Sequence, residues 1–213
     1  METTKAQYGQ TPAFAVTTIE QLTEDSPPVE STVVYLSRED MTPLASFHYS
    51  RPPKPLVTIA VGYQEGFAEI VTVTNEEQFK REVPIGVSTF DIHQIPTLGR
   101  AIRFGQQMPY QIHLVIPQNS PVDGRSVVGK IRPGGIDTIT TPAGRFECYQ
   151  LIFETDMTKQ VLWFERIGAR RLIQSYDSTN GETVRLISSS AIPIPSGLIG
   201  ATVDRPSHIL SAE

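Results

Sequence analysis

Apolar and polar residues alternate along much of this chain with the two-residue period of β-strands. Residues 56–63 give the plainest case. Val57, Ile59, Val61 and Tyr63 fall on one face, and Thr58, Ala60 and Gly62 on the other. The same period, with runs of β-branched residues, predicts strands over 32–37, 44–50, 67–74, 78–84, 111–117, 127–132, 136–141, 145–155, 159–165, 170–176 and 183–189. Turn signals separate them: Asn180-Gly181 suits a tight hairpin, as does Asp123-Gly124. Pro133-Gly134-Gly135 reads as a break between two strands, and Pro142-Ala143-Gly144 as a hairpin turn. The helical period appears only at 95–104, where Leu98 and Ile102 are four apart and Ala101 flanks them. Thr97 is the expected cap, and Gly99 weakens this helix by about 1 kcal/mol relative to Ala.

Strands joined by short turns pair antiparallel, because parallel pairing needs a long crossover. The predicted fold is therefore mainly β: a curled up-and-down antiparallel sheet, half-barrel or barrel, with one short helix. The ends are different in texture. Residues 1–30 read as a polar N-terminal arm closed by Pro27-Pro28, residues 31–190 as the β domain, and residues 191–213 as a proline- and glycine-containing tail.

The densest apolar stretch is 140–176, which holds the only Trp and the only Cys. Phe146, Cys148 and Ile152 lie on one face of its first strand, with Tyr149, Leu151 and Phe153 on the other. In the next strand Val161 and Trp163 oppose Leu162 and Phe164. Both faces of this part of the sheet are apolar, so both need cover, and a single short helix is little material for it. Either the strands enclose their own side chains or they leave a concave apolar groove. Tyr149, Phe153, Trp163 and Phe164 are the candidate ligand-binding residues. Whichever of Trp163 or Phe164 faces the concavity decides whether that wall is core or pocket.

Composition narrows the function by exclusion. The 213 residues carry 18 Lys and Arg against 23 Asp and Glu, a net charge of -5. That disfavours nucleic acid and anionic membrane surfaces as partners. No apolar run reaches the roughly 18 residues of a membrane span, and the N-terminal stretch lacks a basic region followed by an apolar one, so no signal peptide is expected. A lone Cys148 in an apolar strand reads as a small buried hydrophobe. The four histidines, His48, His93, His113 and His208, are scattered without metal-ligand spacing. No phosphate-cradling or nucleophile motif is present, so neither a cofactor nor a metal is expected, and no catalytic residue is assigned. Asp91 and His93 are the one acid–imidazole pair close in sequence, and a capping or loop-fixing role suits them better than acid–base work. Arg170 and Arg171, adjacent in a strand, point to opposite faces.

The segment Thr141-Pro142-Ala143-Gly144-x-Phe146, followed by Leu162-Trp163-Phe164 and then Arg170-Arg171-Leu172, resembles the bacterial proteins grouped as Domain of Unknown Function 3108. Residues 36–44 and 91–104 are similar to that group's opening strand-and-turn and its short central helix. The resemblance implies an envelope-associated, periplasmic setting and a curved sheet like that of half-barrel lipoprotein carriers, although this chain lacks a lipobox cysteine. It transfers no catalytic residue. The function expected is non-enzymatic binding of an apolar or amphipathic, lipid-like ligand in the curved sheet. The alternative is a structural or interaction domain acting through a sheet edge or the C-terminal tail, with a protein partner the sequence does not identify.

Overall fold

The computed structural model describes residues 1–23, 26–75, 77–102, 109–117 and 124–186. Among these residues the architecture is mostly β, with two seven-stranded sheets, one of them curled into a half-barrel, and a single short helical segment. The first sheet is a pure meander of β1 (Glu2–Tyr8), β2 (Thr11–Glu20), β3 (Glu30–Ser37), β4 (Pro43–Ser50), β5 (Val57–Gln64), β6 (Phe67–Val73) and β7 (Gln78–Pro84), each strand beside its sequence neighbours. The second runs from β8 (Thr89–Asp91) through β9 (Tyr110–Ile116), β10 (Arg125–Thr141), β11 (Gly144–Glu154), β12 (Lys159–Glu165) and β13 (Leu172–Asp177) to β14 (Thr183–Arg185). All pairs are antiparallel except β8 with β9, which run parallel. Between those two lies the one crossover that contains a helix: a 3-10 turn at Ile92–Gln94 that leads directly into α1 (Ile95–Ala101).

The single curled sheet expected from the alternation is thus two sheets, and the N-terminal arm is not an arm. Residues 2–20 form β1 and β2, registered from Glu2 opposite Thr17 to Tyr8 opposite Thr11. Their apolar residues are small, and Ala13, Ala15 and Val16 are buried by the neighbouring strands, a pattern too light to stand out as a strand signal. The tail at 191–213 lies outside the described residues, as do Asp123 of the expected Asp123-Gly124 turn and the end of the strand expected over 183–189.

Pro133-Gly134-Gly135 does not end a strand. β10 runs 17 residues through it, and its register against β11 shifts between Pro133 and Gly135. Pairing with β9 stops at Ile131 opposite Tyr110, so Pro133 has no ladder bond to lose on that side. Gly135 takes a φ of 136° in the bulge, a conformation open to glycine. The helix starts at Ile95 as predicted, but a 3-10 turn leads into it and the cap is not Thr97. Asp91 caps the 3-10 turn, Pro96 sits in the first turn of α1, and Thr97 lies inside it. Proline is tolerated there because the first-turn N–H groups have no helical acceptor. Arg103 and Phe104, within the predicted helix, lie outside the described residues.

Four apolar clusters are packed among the described residues, and one of them joins Val16, Val34 and Leu36 within the first sheet. The inner face of the second sheet presents Leu114, Ile116, Val127, Ile131, Leu151, Phe153, Leu162 and Phe164 to Ile95, Leu98 and Ile102 of the helical crossover. Its opposite face carries Ile139, Cys148, Trp163 and Ile173. Val57, Ile59, Val61, Ala68, Ile70 and Val83 of the first sheet close on Val115 of β9. The expected alternation of β5 is matched by this burial. In β6 the inward residues are Ala68 and Ile70. Arg170, with φ at 51°, donates to the carbonyls of Arg100 and Ile102 at the end of α1. Arg171 makes a two-toothed pair with Glu165. The two arginines therefore do separate jobs.

Gly99 is where α1 touches the sheet. A Cβ built on it would lie 2.3 Å from the ring of Phe164, well inside contact distance, so the glycine sets how close the helix comes. Gly99→Ala gains about 1 kcal/mol of helix propensity and meets an overpacking cost of about 1–3 kcal/mol. We expect net destabilisation in urea denaturation, relieved when Phe164→Leu is added. A stabilised Gly99→Ala variant would contradict this packing.

Candidate functional site

The polar side chains that converge most tightly lie where the first sheet meets β8 and the helical crossover. Cross-strand pairing lines up Thr32, His48, Ile59 and Thr72 in one row across β3 to β6, with Val34, Ser46, Val61 and Ile70 in the next. The face of β4 turned to the interior is therefore the one that carries Ser46 and His48. Ser46 is buried there because it has a partner: its Oγ donates to Asp91 Oδ2 at 2.5 Å. Tyr63 OH donates to the same oxygen at 2.6 Å. Asp91 Oδ1 accepts from the backbone N–H of His93 at 2.8 Å and lies 2.8 Å from His93 Nδ1. Gln94 completes the cap, accepting from the Asp91 backbone N–H at 2.8 Å and donating to the Met41 carbonyl at 3.1 Å.

Asp91 is fully buried, and each carboxylate oxygen receives two donors. Burial raises the cost of its charge, but the His93 charge and the donors from His93, Ser46 and Tyr63 outweigh it, so the carboxyl stays below its usual range. An ionised carboxylate only accepts, so His93 Nδ1 carries a proton and Nε2 is the nitrogen left for other partners. Burial works against charge on His93 too, yet Asp91 draws its pKa above the ordinary imidazole value. Tyr63 is pushed well up by burial and by Asp91, which keeps it a phenol and a donor. The loop-fixing role expected for Asp91 is present. The partners Ser46 and Tyr63, 45 and 28 residues away in sequence, gave no sequence signal.

His48 stacks on His93, with ring centroids 5.4 Å apart and planes at 21°. Its Nδ1 lies 3.1 Å from Thr32 Oγ1 and 3.6 Å from Glu30 Oε1. Beyond it, Lys54 from the stiff 51–55 connection reaches three carboxylates: Glu30 at 2.5 Å, and Glu20 and Glu182 at 3.1 Å each. Glu182 precedes β14, so this ammonium ties the two sheets together. Burial alone would lower the Lys54 pKa, and its carboxylate partners raise it instead. Burial holds Glu20 above its ordinary value. Between the histidines and this cluster opens a cleft of about 550 Å³, lined by Glu30, His48, Lys54, Ile59, His93, Pro117, Asn180 and Glu182.

The four sequence candidates are placed elsewhere and not together. Phe153 and Phe164 are fully buried in the layer against α1. Gly129, whose added Cβ would lie 2.7 Å from the Phe153 ring, and Gly99 fit closely around them. Tyr149, opposite Phe164 in the β11–β12 register, lies under the Arg166 guanidinium. Trp163 stands on the other face, and its buried Nε1 has no hydrogen-bond partner among the described residues. Cys148 is buried on that same face, and burial with nearby carboxylates pushes its thiol up to about 11, the inert state expected of a packed cysteine. Among the described residues no group of three or more potential ligands could hold a metal, and no helix is long and apolar enough to cross a membrane.

Compared with protein-family models, characterised proteins and solved structures, the chain matches none.

Asp91→Asn puts amide hydrogens among donors and leaves buried groups unpaired, so it should lower stability by about 3–5 kcal/mol in urea denaturation near neutral pH. The folded-state pKa of Asp91 is depressed, so its stabilisation is present above the unfolded value of 3.8 and is lost as pH falls through the folded one. The native protein should therefore lose stability below about pH 4. The variant should show a shallower acid limb, and an equal limb would remove Asp91 from that account.

Proposed function

We propose that this protein binds a small amphipathic molecule in the cleft at the seam between its sheets and performs no chemistry on it. The observation that carries this is the contrast between two regions. The layer around Phe153 and Phe164 is filled by α1, whereas the seam keeps a cleft of about 550 Å³, within the usual range for small-ligand sites. Its walls are of mixed character. Ile59 and Pro117 offer apolar contact, and Glu30, Glu182, His48, His93 and Lys54 offer charge and hydrogen bonds. A ligand with a compact polar head and a short apolar part matches both.

The alternative of an interaction domain working through a sheet edge finds less support. The β7 edge carries Lys80, Arg81 and Glu82 and ends at Pro84, features that discourage strand addition. A tail-mediated version depends on residues outside the described ones.

The test is native mass spectrometry of the purified protein, followed by titration with dodecylphosphocholine, dodecylamine and dodecanoate below their micellar concentrations. At least one should bind and raise the melting temperature. Glu182→Gln and His48→Ala should each weaken that binding by about tenfold, the scale of one charged hydrogen bond, while Tyr149→Phe, on the inner face of β11, should leave it unchanged. No co-purifying molecule and no response to any of the three would overturn the proposal.

A further inference from the structure

His48 and His93 belong to different parts of the fold and meet across the seam. His48 comes from β4 of the first sheet and His93 from the turn that joins β8 to α1. Each ring has its Nδ1 occupied, by Thr32 and Glu30 for His48 and by Asp91 for His93. Each borders the cleft. Their side chains are 12% and 26% exposed, so water reaches them only in part. We propose that the stacked pair is an acid-operated latch on the cleft: with at most one ring charged the seam stays closed, and with both charged the rings part and the bound molecule leaves. This rests on the binding function proposed above and adds its regulation.

The surrounding charges set the order of events. Asp91 stands behind His93 and compensates a positive ring there, with Tyr63 and Ser46 fixing that carboxylate from β5 and β4. On the other side Glu30 of β3 faces His48 but is already bound to Lys54, which also holds Glu20 of β2 and Glu182 beside β14. A proton on His93 therefore has its own counter-charge, and a proton on His48 has only a shared one. Consistently, burial and the neighbouring His93 hold His48 below the ordinary imidazole value, while Asp91 holds His93 above it. The first proton is accommodated. The second places two cations face to face in a poorly solvated seam, where like charges repel more strongly than in water. Acid acts on the Lys54 cluster as well, because Glu20 takes a proton more readily than usual, so the two sources have to be separated by mutation.

The experiment uses the full chain. Histidine ring resonances are followed by NMR from about pH 8 to about pH 4.5, across the imidazole range. Amide hydrogen exchange in β4 and at 91–94 is measured over the same range and corrected for its intrinsic pH dependence. We expect two separated titrations, with His48 the lower, and exchange at the seam at least tenfold faster once His48 is charged. His48→Gln, which keeps a hydrogen-bonding side chain for Thr32 and cannot be charged, should abolish that acceleration. Dodecylphosphocholine, whose charge is constant over this range, should bind at least tenfold more weakly at about pH 5 than at about pH 7.5 in the native protein and equally at both in the variant. Unchanged exchange, equal opening in His48→Gln, or undiminished binding with the seam open would each overturn the latch. If the probe binds at neither pH, the binding proposal fails for that ligand, and ring titration and exchange alone decide whether the seam opens.

Discussion

The fold depends on one buried carboxylate. Removing an ionised Asp from water is strongly unfavourable unless its lone pairs are all taken up. Asp91 meets that condition with two donors from the first sheet and two from its own turn. Each of those charge-assisted bonds is worth about 1.5–3 kcal/mol, and each is directional. Together they fix where β8 and the 3-10 turn sit against β4 and β5. The rest of the second sheet follows from that placement. β8 starts the parallel pairing with β9, and the turn aims α1 down onto the sheet, where the distance is set by Gly99 against Phe164. Apolar burial supplies most of the stabilisation of such a fold, but it is not directional, and the Asp91 bonds select one docking geometry from those that would bury similar area.

Lys54 makes a second link across the same seam, of a different kind. Its three carboxylates and its ammonium are all partly exposed, so solvent screens the pairs and their net contribution is small. What the cluster provides is position. Glu20 and Glu30 pair across β2 and β3, and Glu182 arrives from the far end of the second sheet. A single cation drawn to all three holds one wall of the cleft. The opposite wall is held by Asp91 through His93. The cleft is thus bounded on one side by His93, partly exposed above the dry Asp91, and on the other by the partly exposed Lys54 cluster, and acid and salt reach both.

Much of the strand pattern was legible. Val57, Ile59 and Val61 alternate in sequence and are buried together. Pro142-Ala143-Gly144 does turn β10 into β11, with Thr141 opposite Gly144, and Gly181 takes the positive φ its turn demanded. The departures have local causes. Alanines at 13 and 15 fill a strand interior with little hydrophobic signal, and a bulge absorbs a Pro-Gly-Gly that reads as a break. The one expected sheet breaks into two between β7 and β8, and β8 instead pairs parallel with β9 across the helical crossover. The period of two also leaves open which face is inward. In β4 the polar Ser46, His48 and Ser50 share one face, yet Ser46 and Ser50 are buried and His48 nearly so. Only the partners, far away in sequence, decide it.

The same ambiguity explains why the densest apolar stretch lies away from the candidate cleft. Large apolar side chains gain most when surrounded on all sides, so a run such as Leu162-Trp163-Phe164 marks where packing is complete on both faces of a strand. A cleft survives where packing cannot be completed, and charged groups that must keep some hydration prevent completion. In this chain those groups are His48, His93, Lys54 and the glutamates, each short of full burial. The polar residues placed on a buried face, rather than the aromatic ones, therefore line the cleft that this fold leaves open.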